Sequence, residues 1–260
     1  MKVAVLYICT GKYNQFFHGF FESSEKYFLK DIADIEYFVF TDDLHLSDSA
    51  KVHLFERKCQ GFPLDSLFRF DMFLSIADKL KEFDYCFFFN ANMLFVNEVG
   101  REFLPEKEGL MAVIHPGFYN KSTARLPYER NKQSKAYIPR EKGKNYRYYM
   151  GSLNGGKTDK FLELAKVCSA NTHNDYDRGV IAQVHDESHL NKYMTLHNCL
   201  GLSPAYAYPE DWNLPFGPKI LIRDKVKIDP YFNKGRDFSI IGRLKKGMRI
   251  IRSMVKWYVQ

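Results

Sequence analysis

Two adjacent carboxylates are the first residues in this sequence that could do chemistry. Asp186 and Glu187 lie within the run His185-Asp186-Glu187-Ser188-His189. Two histidines four residues apart resemble a zinc-binding helix, but the glutamate is one position too late for the H-E-x-x-H pattern. Neighbouring carboxylates are costly in an apolar site unless they are hydrogen-bonded or face developing positive charge, as in a glycosyl transition state. From these five residues alone, an ordinary solvated helix end is the favoured alternative.

A second polar pair follows a run of aromatic residues. The segment from Tyr85 to Phe89 is apolar throughout, which predicts a strand buried on both faces of a parallel sheet. Asn90 and Asn92 follow at its carboxyl end, and their spacing places both side chains on one face of an extended segment. Ligands bind at that edge in open α/β sheets. The stretch therefore predicts a ligand cleft that contains two neutral amides.

The elements that must position these residues alternate strands with helices. Strands are predicted at Val3–Cys9, Ile35–Phe40, Val52–Phe55, Leu110–Ile114 and Tyr148–Asn154, with Gly155-Gly156 ending the last of them. Helices are predicted from Phe16 to Phe28, Leu64 to Leu80, Asp159 to Ser169 and Asp177 to Tyr193, and a long loop or flap from Asn120 to Asn145. The pattern indicates one α/β domain with helices on a mixed sheet, without the glycine-rich turns that bind dinucleotides or nucleotide phosphates.

Composition narrows the class of protein. A chain of 260 residues with 45% hydrophobic content can bury one large core. Its five cysteines are odd in number and form no C-x-x-C pair, so neither a disulfide framework nor a zinc site is indicated. The first residues are too few and too β-branched for a signal peptide, and no run reaches the roughly 18 apolar residues of a membrane span. We therefore expect a cytoplasmic protein.

Positive charge is concentrated at the end of the chain. Residues 236–260 contain seven basic residues and one acid, so the remainder, 1–235, is nearly neutral and nucleic-acid binding is not expected of it. In this tail the apolar residues Ile241, Leu244, Met248, Ile251, Val255 and Tyr258 recur at helical spacing. Such a basic amphipathic helix can lie on an anionic membrane surface, here the inner face, or pack on the domain with a solvated basic face. Both alternatives stay open at this point.

Several segments carry a resemblance to a known family. They are His115–Tyr119, Tyr128–Arg130, Ala136–Pro139, Gly155-Gly156 and the run His185–Tyr193, whose sequence HDESHLNKY is highly specific. Together they resemble glycosyltransferase family 6, which contains the histo-blood-group A and B transferases and the α-1,3-galactosyltransferases. The resemblance covers about Lys2 to Pro204, in order and with similar spacing. It implies a GT-A type fold and a retaining transfer of galactose or N-acetylgalactosamine from a UDP-sugar to O3 of a galactoside.

The resemblance also assigns residues to the donor. It implies donor-binding roles for Ile8, Cys9, Thr10, Tyr13, Arg69, Asn90, Ala91, Asn92, Met150, Ser152 and Asp186. Met150 resembles the galactose-using enzymes, whereas the small Ser152 leaves room for an acetamido group at C2 of the sugar. We expect N-acetylgalactosamine as the donor sugar, with galactose as the alternative.

Catalytic and acceptor roles follow from the same resemblance. Glu187 is implied as the nucleophile or front-face stabiliser, and His115, Phe118, His185 and Glu187 as acceptor-binding residues. The segment His115–Tyr119 resembles that of the blood-group enzymes, which implies a 2-fucosylated galactose as acceptor. Val184 replaces the tryptophan that the family has before HDES, and Pro127 replaces a polar residue before Tyr128. The acceptor face is therefore expected to differ.

The largest departure from the family is Asn90-Ala91-Asn92, which stands where the family has Asp-x-Asp. Paired carboxylates hold a divalent metal that neutralises the leaving diphosphate, whereas asparagine offers only a neutral oxygen. No metal cofactor is therefore expected, and fixed cations must stabilise the UDP leaving group. The candidates are Arg69, Arg223, Lys225, Lys227, Lys234 and Arg236. A carbohydrate-binding protein that kept the cleft without catalysis is the alternative function.

Overall fold

A seven-stranded sheet forms the centre of the computed structural model, which describes residues 1–233 and 240–259 except the side chains of 240–246 and 249. The strands are β1 (Lys2–Ile8), β2 (Asp34–Thr41), β3 (Val52–Glu56), β4 (Tyr85–Asn90), β5 (Met93–Phe95), β6 (Leu110–Ile114), β7 (Tyr149–Lys157), β8 (Leu200–Leu202), β9 (Tyr208–Pro209) and β10 (Ile220–Ile222). The order in the central sheet is β3-β2-β1-β4-β7-β6-β8. Only β7 runs antiparallel to its neighbours in this sheet of the described chain, so the predicted mixed, mostly parallel sheet of a GT-A type fold is confirmed.

Helices cover both faces of this sheet. They are α1 (Phe17–Tyr27), α2 (Leu64–Leu67), α3 (Arg69–Ser75), α4 (Ala77–Leu80), α5 (Thr158–Asp177), α6 (His185–Met194), α7 (Lys225–Ile228) and α8 (Ile240–Tyr258). Alternate residues of β4 serve the two layers, since Phe89 packs on Phe20 of α1 while Phe88 packs on Phe73 of α3. The apolar run that predicted a strand buried on both faces is therefore confirmed.

A small second sheet carries the chain back to the carboxyl end of β4. In it β10 lies between β5, to which it is antiparallel, and β9, to which it is parallel. None of these three short strands was predicted, because each is two or three residues long and has no periodicity to read. Since α7 follows β10 directly, this sheet positions α7 beside the ends of β1 and β4.

Three predicted helices have different bounds in the structure. The pattern from Leu64 to Leu80 is divided among α2, α3 and α4, and α5 continues to Asp177 instead of ending near Ser169. Asp175 explains the longer helix, because its buried carboxylate accepts hydrogen bonds from Ser134 Oγ and the Lys135 amide. The predicted helix from Asp177 was wrong in its first turns, since α6 begins only at His185. Gly179, with φ of 70°, follows the end of α5 and was the overlooked stop signal.

Gly155 and Gly156 lie inside β7 and do not break it, which corrects the prediction. A Cβ atom at Gly155 would collide with the Cys86 carbonyl of β4, and one at Gly156 with the Gly109 carbonyl. Gly156 also has a φ of 155°, which side chains rarely adopt. The two glycines therefore permit close approach of neighbouring backbone at the centre of the sheet.

The long loop between β6 and β7 is packed against the body. Its described residues include one short 3₁₀ turn, Thr123–Arg125, and the buried side chains of Tyr128, Glu129 and Arg130. The predicted terminal helix is confirmed as α8, whose Trp257 packs against this loop. The proposed boundary between residues 235 and 236 lies outside the described residues and stays a prediction. No helix in the described ranges is long and apolar enough to cross a membrane.

Candidate active site

A cavity of about 490 Å³ opens at the carboxyl ends of β1 and β4. These strands are parallel neighbours, and Ile8 pairs with Asn90 in their register, so both ends reach the same edge. The predicted donor residues that line the cavity are Ile8, Thr10, Tyr13, Arg69, Asn90, Ala91 and Lys225. Its walls also include residues that sequence reasoning did not single out, namely Gly11, Lys12, Phe62, Asp65 and Phe232. The site predicted at this edge is therefore a real concavity.

Arg69 and Asp186 form a buried ion pair beside the cavity. The Arg69 Nη2 atom lies 2.5 Å from Asp186 Oδ2, and both side chains are less than a tenth exposed. Burial raises the pKa of Asp186, while the Arg69 charge opposes that rise. The Arg69 guanidinium also stacks 4.6 Å from the Phe88 ring of β4, and its Nε atom has no hydrogen-bond partner among the described residues. A buried donor without a partner is costly, so this guanidinium is suited to a ligand oxygen.

Glu187 is held by two donors, one immediately before β7 and one within it. The Tyr148 hydroxyl donates to Oε1 over 2.5 Å, and the Gly151 amide donates to Oε2 over 2.6 Å. Burial raises the pKa of Glu187 to about 7, although both hydrogen bonds act to lower it. Both oxygens of this carboxyl group are engaged, so the fold fixes its position at the site.

The start of α6 is built to direct these carboxylates toward β7. His185 adopts a left-handed backbone with φ of 48°, a strained conformation that reorients the chain just before Asp186. Asn191, one turn further along, joins α6 to β7: its Nδ2 donates to the carbonyls of Tyr149 and Glu187, and its Oδ1 accepts from the Tyr149 amide. These bonds fix the register between Glu187 and its two donors.

Gly151 lies where the two charged groups converge. A Cβ atom built at Gly151 would lie 3.1 Å from Arg69 Nη2 and 3.2 Å from Glu187 Oε2. Tyr148 and Gly151 were missed as functional residues by sequence reasoning, although both fall in the predicted strand region. Large and small residues alternate in that region, which could have indicated a close approach at Gly151. The sequence does not show which group accepts a hydrogen bond from a backbone amide.

Two of the predicted acceptor residues, His115 and Phe118, pack on the ring of Tyr148. The ring centroids of His115 and Phe118 are 5.9 Å and 5.4 Å from that of Tyr148. Burial lowers the pKa of His115 to about 4, so the ring is neutral at pH 7, and its Nδ1 accepts a hydrogen bond from the Gly117 amide. Nε2 then carries the ring proton and can donate to a hydroxyl. His185 is near Phe62, with ring centroids 4.9 Å apart, at the rim of the cavity.

The two asparagines after β4 have different surroundings. Asn90 lines the cavity and donates through Nδ2 to Asn92 Oδ1 over 3.0 Å. Asn92 is buried and donates through its own Nδ2 to the Arg223 carbonyl over 2.8 Å, while the Arg223 amide donates to the Asn92 carbonyl over 2.9 Å. Asn92 therefore joins the end of β4 to the segment that leads into α7, and it is not at the cavity surface.

The basic residues proposed to bind the diphosphate differ in the partners that they already have. Lys225 lies in the cavity, where its ammonium donates to the Tyr13 hydroxyl over 2.9 Å, and it forms no ion pair with a described carboxylate. Lys227 is exposed and paired with Asp211, and Lys12 is paired with Asp229. Arg223 is held by its backbone to Asn92. Lys234 and Arg236 lie outside the described residues.

The remaining predicted donor residues do not line the cavity. Cys9 is buried in the core, and burial raises the pKa of its thiol to about 12. Met150 packs on the core formed by β1 and β4. Ser152 is buried, and its Oγ atom has no hydrogen-bond partner within the described part of the chain. Among the described residues no three His, Cys, Asp or Glu side chains are grouped to hold a metal.

Comparison with known proteins gives the same family as the motifs. The model for glycosyltransferase family 6 matches residues 1–228. An Escherichia coli relative, the O-antigen biosynthesis glycosyltransferase WbnI, is 38% identical over 236 residues, covering 90% of this chain and 99% of the relative. A chicken globoside α-1,3-N-acetylgalactosaminyltransferase 1 is 31% identical over 249 residues, covering 91% and 70%.

A rat histo-blood group ABO system transferase 1 is 34% identical over 209 residues, which is 76% of this chain and 58% of the relative. The match to the family model includes the Arg69–Asp186 pair, Glu187 and every residue of the cavity lining except Tyr231 and Phe232. The E. coli and chicken relatives cover at least nine-tenths of the chain at more than 30% identity. The chain belongs to glycosyltransferase family 6.

Proposed function

We propose that this protein is a retaining α-1,3-N-acetylgalactosaminyltransferase that moves the sugar from UDP-N-acetylgalactosamine to O3 of a 2-fucosylated galactoside without a divalent metal. The observation that carries the proposal is the Glu187 carboxylate, held by Tyr148 and Gly151 beside the Arg69–Asp186 pair. The name of one relative, a globoside α-1,3-N-acetylgalactosaminyltransferase, supports the sugar and the linkage.

In this reaction the bond from C1 of the sugar to the diphosphate oxygen breaks, and its electron pair leaves with UDP. Positive charge develops at C1, where the fixed Glu187 carboxylate can stabilise it. In one route Glu187 attacks C1 and the acceptor O3 then displaces it. In the other, O3 attacks from the face that UDP leaves. Either route retains the configuration at C1, and the O3 proton ends on the leaving phosphate or on solvent.

The donor assignment is supported by Ser152. Its buried hydroxyl lacks a partner among the described residues, and an acetamido group at C2 offers both a donor and an acceptor to such a hydroxyl. Galactose has only a hydroxyl at that position, so it would leave more of the site unfilled. The alternative donor, UDP-galactose, is tested directly below.

The acceptor assignment is supported by the state of His115. A neutral ring whose Nδ1 is already an acceptor presents an N–H donor at Nε2, which suits a sugar hydroxyl. Phe118, next to it, supplies an apolar surface for the face of a sugar ring. We place the enzyme in the cytoplasm, because all five of its cysteines are free.

Metal independence is supported by the chemistry of Asn90 and Asn92. Both amides are neutral, Asn92 Oδ1 already accepts from Asn90, and Asn92 Nδ2 is bound to the Arg223 carbonyl. A divalent cation prefers charged oxygen ligands, which this pair cannot supply. Arg69 and Lys225, at the same cavity, can neutralise the diphosphate instead.

The test is a transfer assay with UDP-N-acetylgalactosamine and 2'-fucosyllactose, with and without EDTA. We expect an α-1,3-linked product by NMR, the same rate with chelator, and slower transfer from UDP-galactose or to lactose. Glu187→Gln should lower kcat by at least about 10³-fold, while Glu82→Gln on the surface should leave it unchanged.

Each result has an opposite that would count against one part of the proposal. Loss of transfer on chelation would refute metal independence, and faster transfer from UDP-galactose would refute the donor assignment. Full activity of Glu187→Gln would remove the role of Glu187. Sugar binding by calorimetry with no release of UDP would instead identify a carbohydrate-binding protein without catalysis.

A further inference from the structure

The terminal helix α8 presents an apolar stripe to solvent. Met248, Ile251, Val255 and Tyr258 are 53%, 61%, 56% and 60% exposed. Their spacing of three, four and three residues places all four on one face of the helix. A terminal helix that served only to cover the core would turn such a stripe inward, so the outward orientation needs another explanation.

A different face of α8 anchors the helix to the body. Trp257 is only 4% exposed and lies in a cluster with Tyr128 and Tyr148 of the long loop. The Arg130 guanidinium stacks 4.0 Å from the Trp257 ring. Because this contact is already satisfied, the exposed stripe is not a core face that the body has failed to cover.

Charge on α8 is of one sign. The helix spans Ile240–Tyr258 and contains six basic residues and no acidic ones. Arg252 and Lys256 are exposed and lie on the side of the helix next to the stripe. Arg140 of the long loop adds a guanidinium 5.2 Å from the Tyr258 ring. The apolar stripe is therefore bordered by positive charge.

We propose that this face of α8 binds the surface of an anionic phospholipid bilayer, with the helix lying parallel to the surface. Burial of the stripe among the lipids removes apolar area from water, and the basic border complements the negative headgroups. A second copy of the chain is a poorer occupant, because pairing the same faces would oppose two helices that carry only positive charge.

The experiment uses the full chain and sedimentation with lipid vesicles. Vesicles of phosphatidylcholine alone are compared with vesicles that contain about 30% phosphatidylglycerol, at about 50 mM and about 500 mM salt. We expect binding to the anionic vesicles, little binding to the neutral ones, and marked weakening at the higher salt. Absence of binding to anionic vesicles would overturn the proposal.

Matched variants distinguish binding through the apolar stripe from nonspecific binding through other exposed apolar residues. Ile251→Ser/Val255→Ser should weaken partitioning at least about tenfold, whereas Ile181→Ser/Leu196→Ser removes two similarly exposed apolar residues elsewhere and should change nothing. Arg252→Gln/Lys256→Gln should weaken it about 30-fold, the effect of about 1 kcal/mol for each charge near the surface.

Two further measurements, circular dichroism and the transfer rate, show whether a loss of vesicle binding comes from misfolding. Circular dichroism and transfer to a soluble acceptor should be unchanged in Ile251→Ser/Val255→Ser, because neither residue touches the active site. Binding that persists in this variant would overturn the proposal. So would a concentration-dependent dimer in analytical ultracentrifugation that the variant abolishes, because the stripe would then belong to an interface between copies.

Discussion

The donor cavity and the surroundings of Glu187 meet at Arg69, but they differ in whether their polar groups already have partners. On the cavity side, the Arg69 Nε atom has no hydrogen-bond partner and Lys225 no carboxylate partner within the described ranges. On the other side, Glu187 has both oxygens engaged, and Asn191 fixes the backbone that engages them. A charged ligand is thus needed to complete the cavity side, whereas the fold alone holds the Glu187 carboxylate in place.

This difference indicates where binding free energy is gained. A diphosphate that enters the cavity would supply an anion to Lys225, which has no carboxylate partner among the described residues, and a further acceptor to Arg69, which is already paired with Asp186. Binding the leaving group and stabilising its charge would then be one interaction. Glu187 needs no ligand to reach its position, which is the property of a preorganised group. Substitutions on the two sides should therefore differ in kind, with donor affinity changed on one side and turnover on the other.

Lys225→Ala tests the donor side most strongly. Removing the cation from the cavity should lower kcat/KM for the UDP-sugar by about 10²- to 10³-fold, since one charge on the leaving diphosphate is lost. Steady-state kinetics and calorimetry with UDP measure it. Lys227→Ala is the control, because that ammonium is exposed and paired with Asp211. Equal effects of the two substitutions would contradict the assignment of Lys225.

Gly151→Ala tests the junction of the two sides. The added Cβ would crowd Arg69 Nη2 and Glu187 Oε2 at 3.1 to 3.2 Å, so both charged groups must shift. Since a displacement of about 1 Å can cost about 10²-fold, a shift of a few tenths of an ångström should lower kcat by about tenfold. Gly217→Ala, at an exposed glycine with nothing within 4 Å, should leave the rate unchanged. Normal turnover in Gly151→Ala would show that the carboxylate position is not critical.

Tyr148→Phe tests the preorganisation of Glu187 through its pH dependence. Burial raises the pKa of Glu187 to about 7, and the carboxylate is the active form, so kcat should rise with pH through that value. Removal of the Tyr148 hydroxyl deletes a bond that lowers this pKa. The acid limb should therefore move to higher pH, with a loss of about tenfold at neutral pH.

Rates between about pH 5 and pH 9 measure this shift. Tyr176→Phe, on the exposed side of α5, is the matched control and should leave the profile in place. An unchanged acid limb in Tyr148→Phe would mean that the limb belongs to another group.

Ser152→Ala should have the smallest effect and should change selectivity more than rate. Loss of one uncharged hydrogen bond to the acetamido group should reduce the preference for UDP-N-acetylgalactosamine over UDP-galactose by a few-fold, about 1 kcal/mol. The ratio of kcat/KM for the two donors in one preparation provides its own control. A ratio that does not change would place the C2 substituent away from Ser152.

Much of the fold could be predicted from the sequence, because the long strands are strongly patterned. The apolar run of β4 and the polar residues at its end were predicted from the sequence. The resemblance assigned Arg69 to the donor, and the structure adds its partner Asp186. The elements whose bounds were predicted wrongly are those in which tertiary contacts outweigh the local sequence pattern. The glycines of β7 were read as a break because they resemble a turn, whereas their role is close approach to neighbouring backbone.

The candidate site was less predictable than the fold. Glu187 and Asp186 were singled out by motif, yet Tyr148 and Gly151 were not, because the strand register that brings them to Glu187 is set by Asn191. Among the basic residues after the last motif, sequence could not single out Lys225. Its position depends on the second sheet, whose strands are too short to have a pattern.

The bonds between Asn92 and Arg223 join segments 131 residues apart in the chain. Asn92→Asp, which makes the sequence look more like an acidic metal site, would replace the Nδ2 donor with an oxygen facing the Arg223 carbonyl. Two acceptors would then repel each other, and only the bond from the Arg223 amide to the Asn92 carbonyl would still join the end of β4 to the segment that carries Lys225. This substitution would therefore disturb the position of the lysine at the same time as it added a carboxylate. The side chain of Asn92 and the position of Lys225 are therefore coupled through Arg223. A substitution at Asn92 that is meant to create a metal site would need a compensating substitution in the segment that carries Lys225.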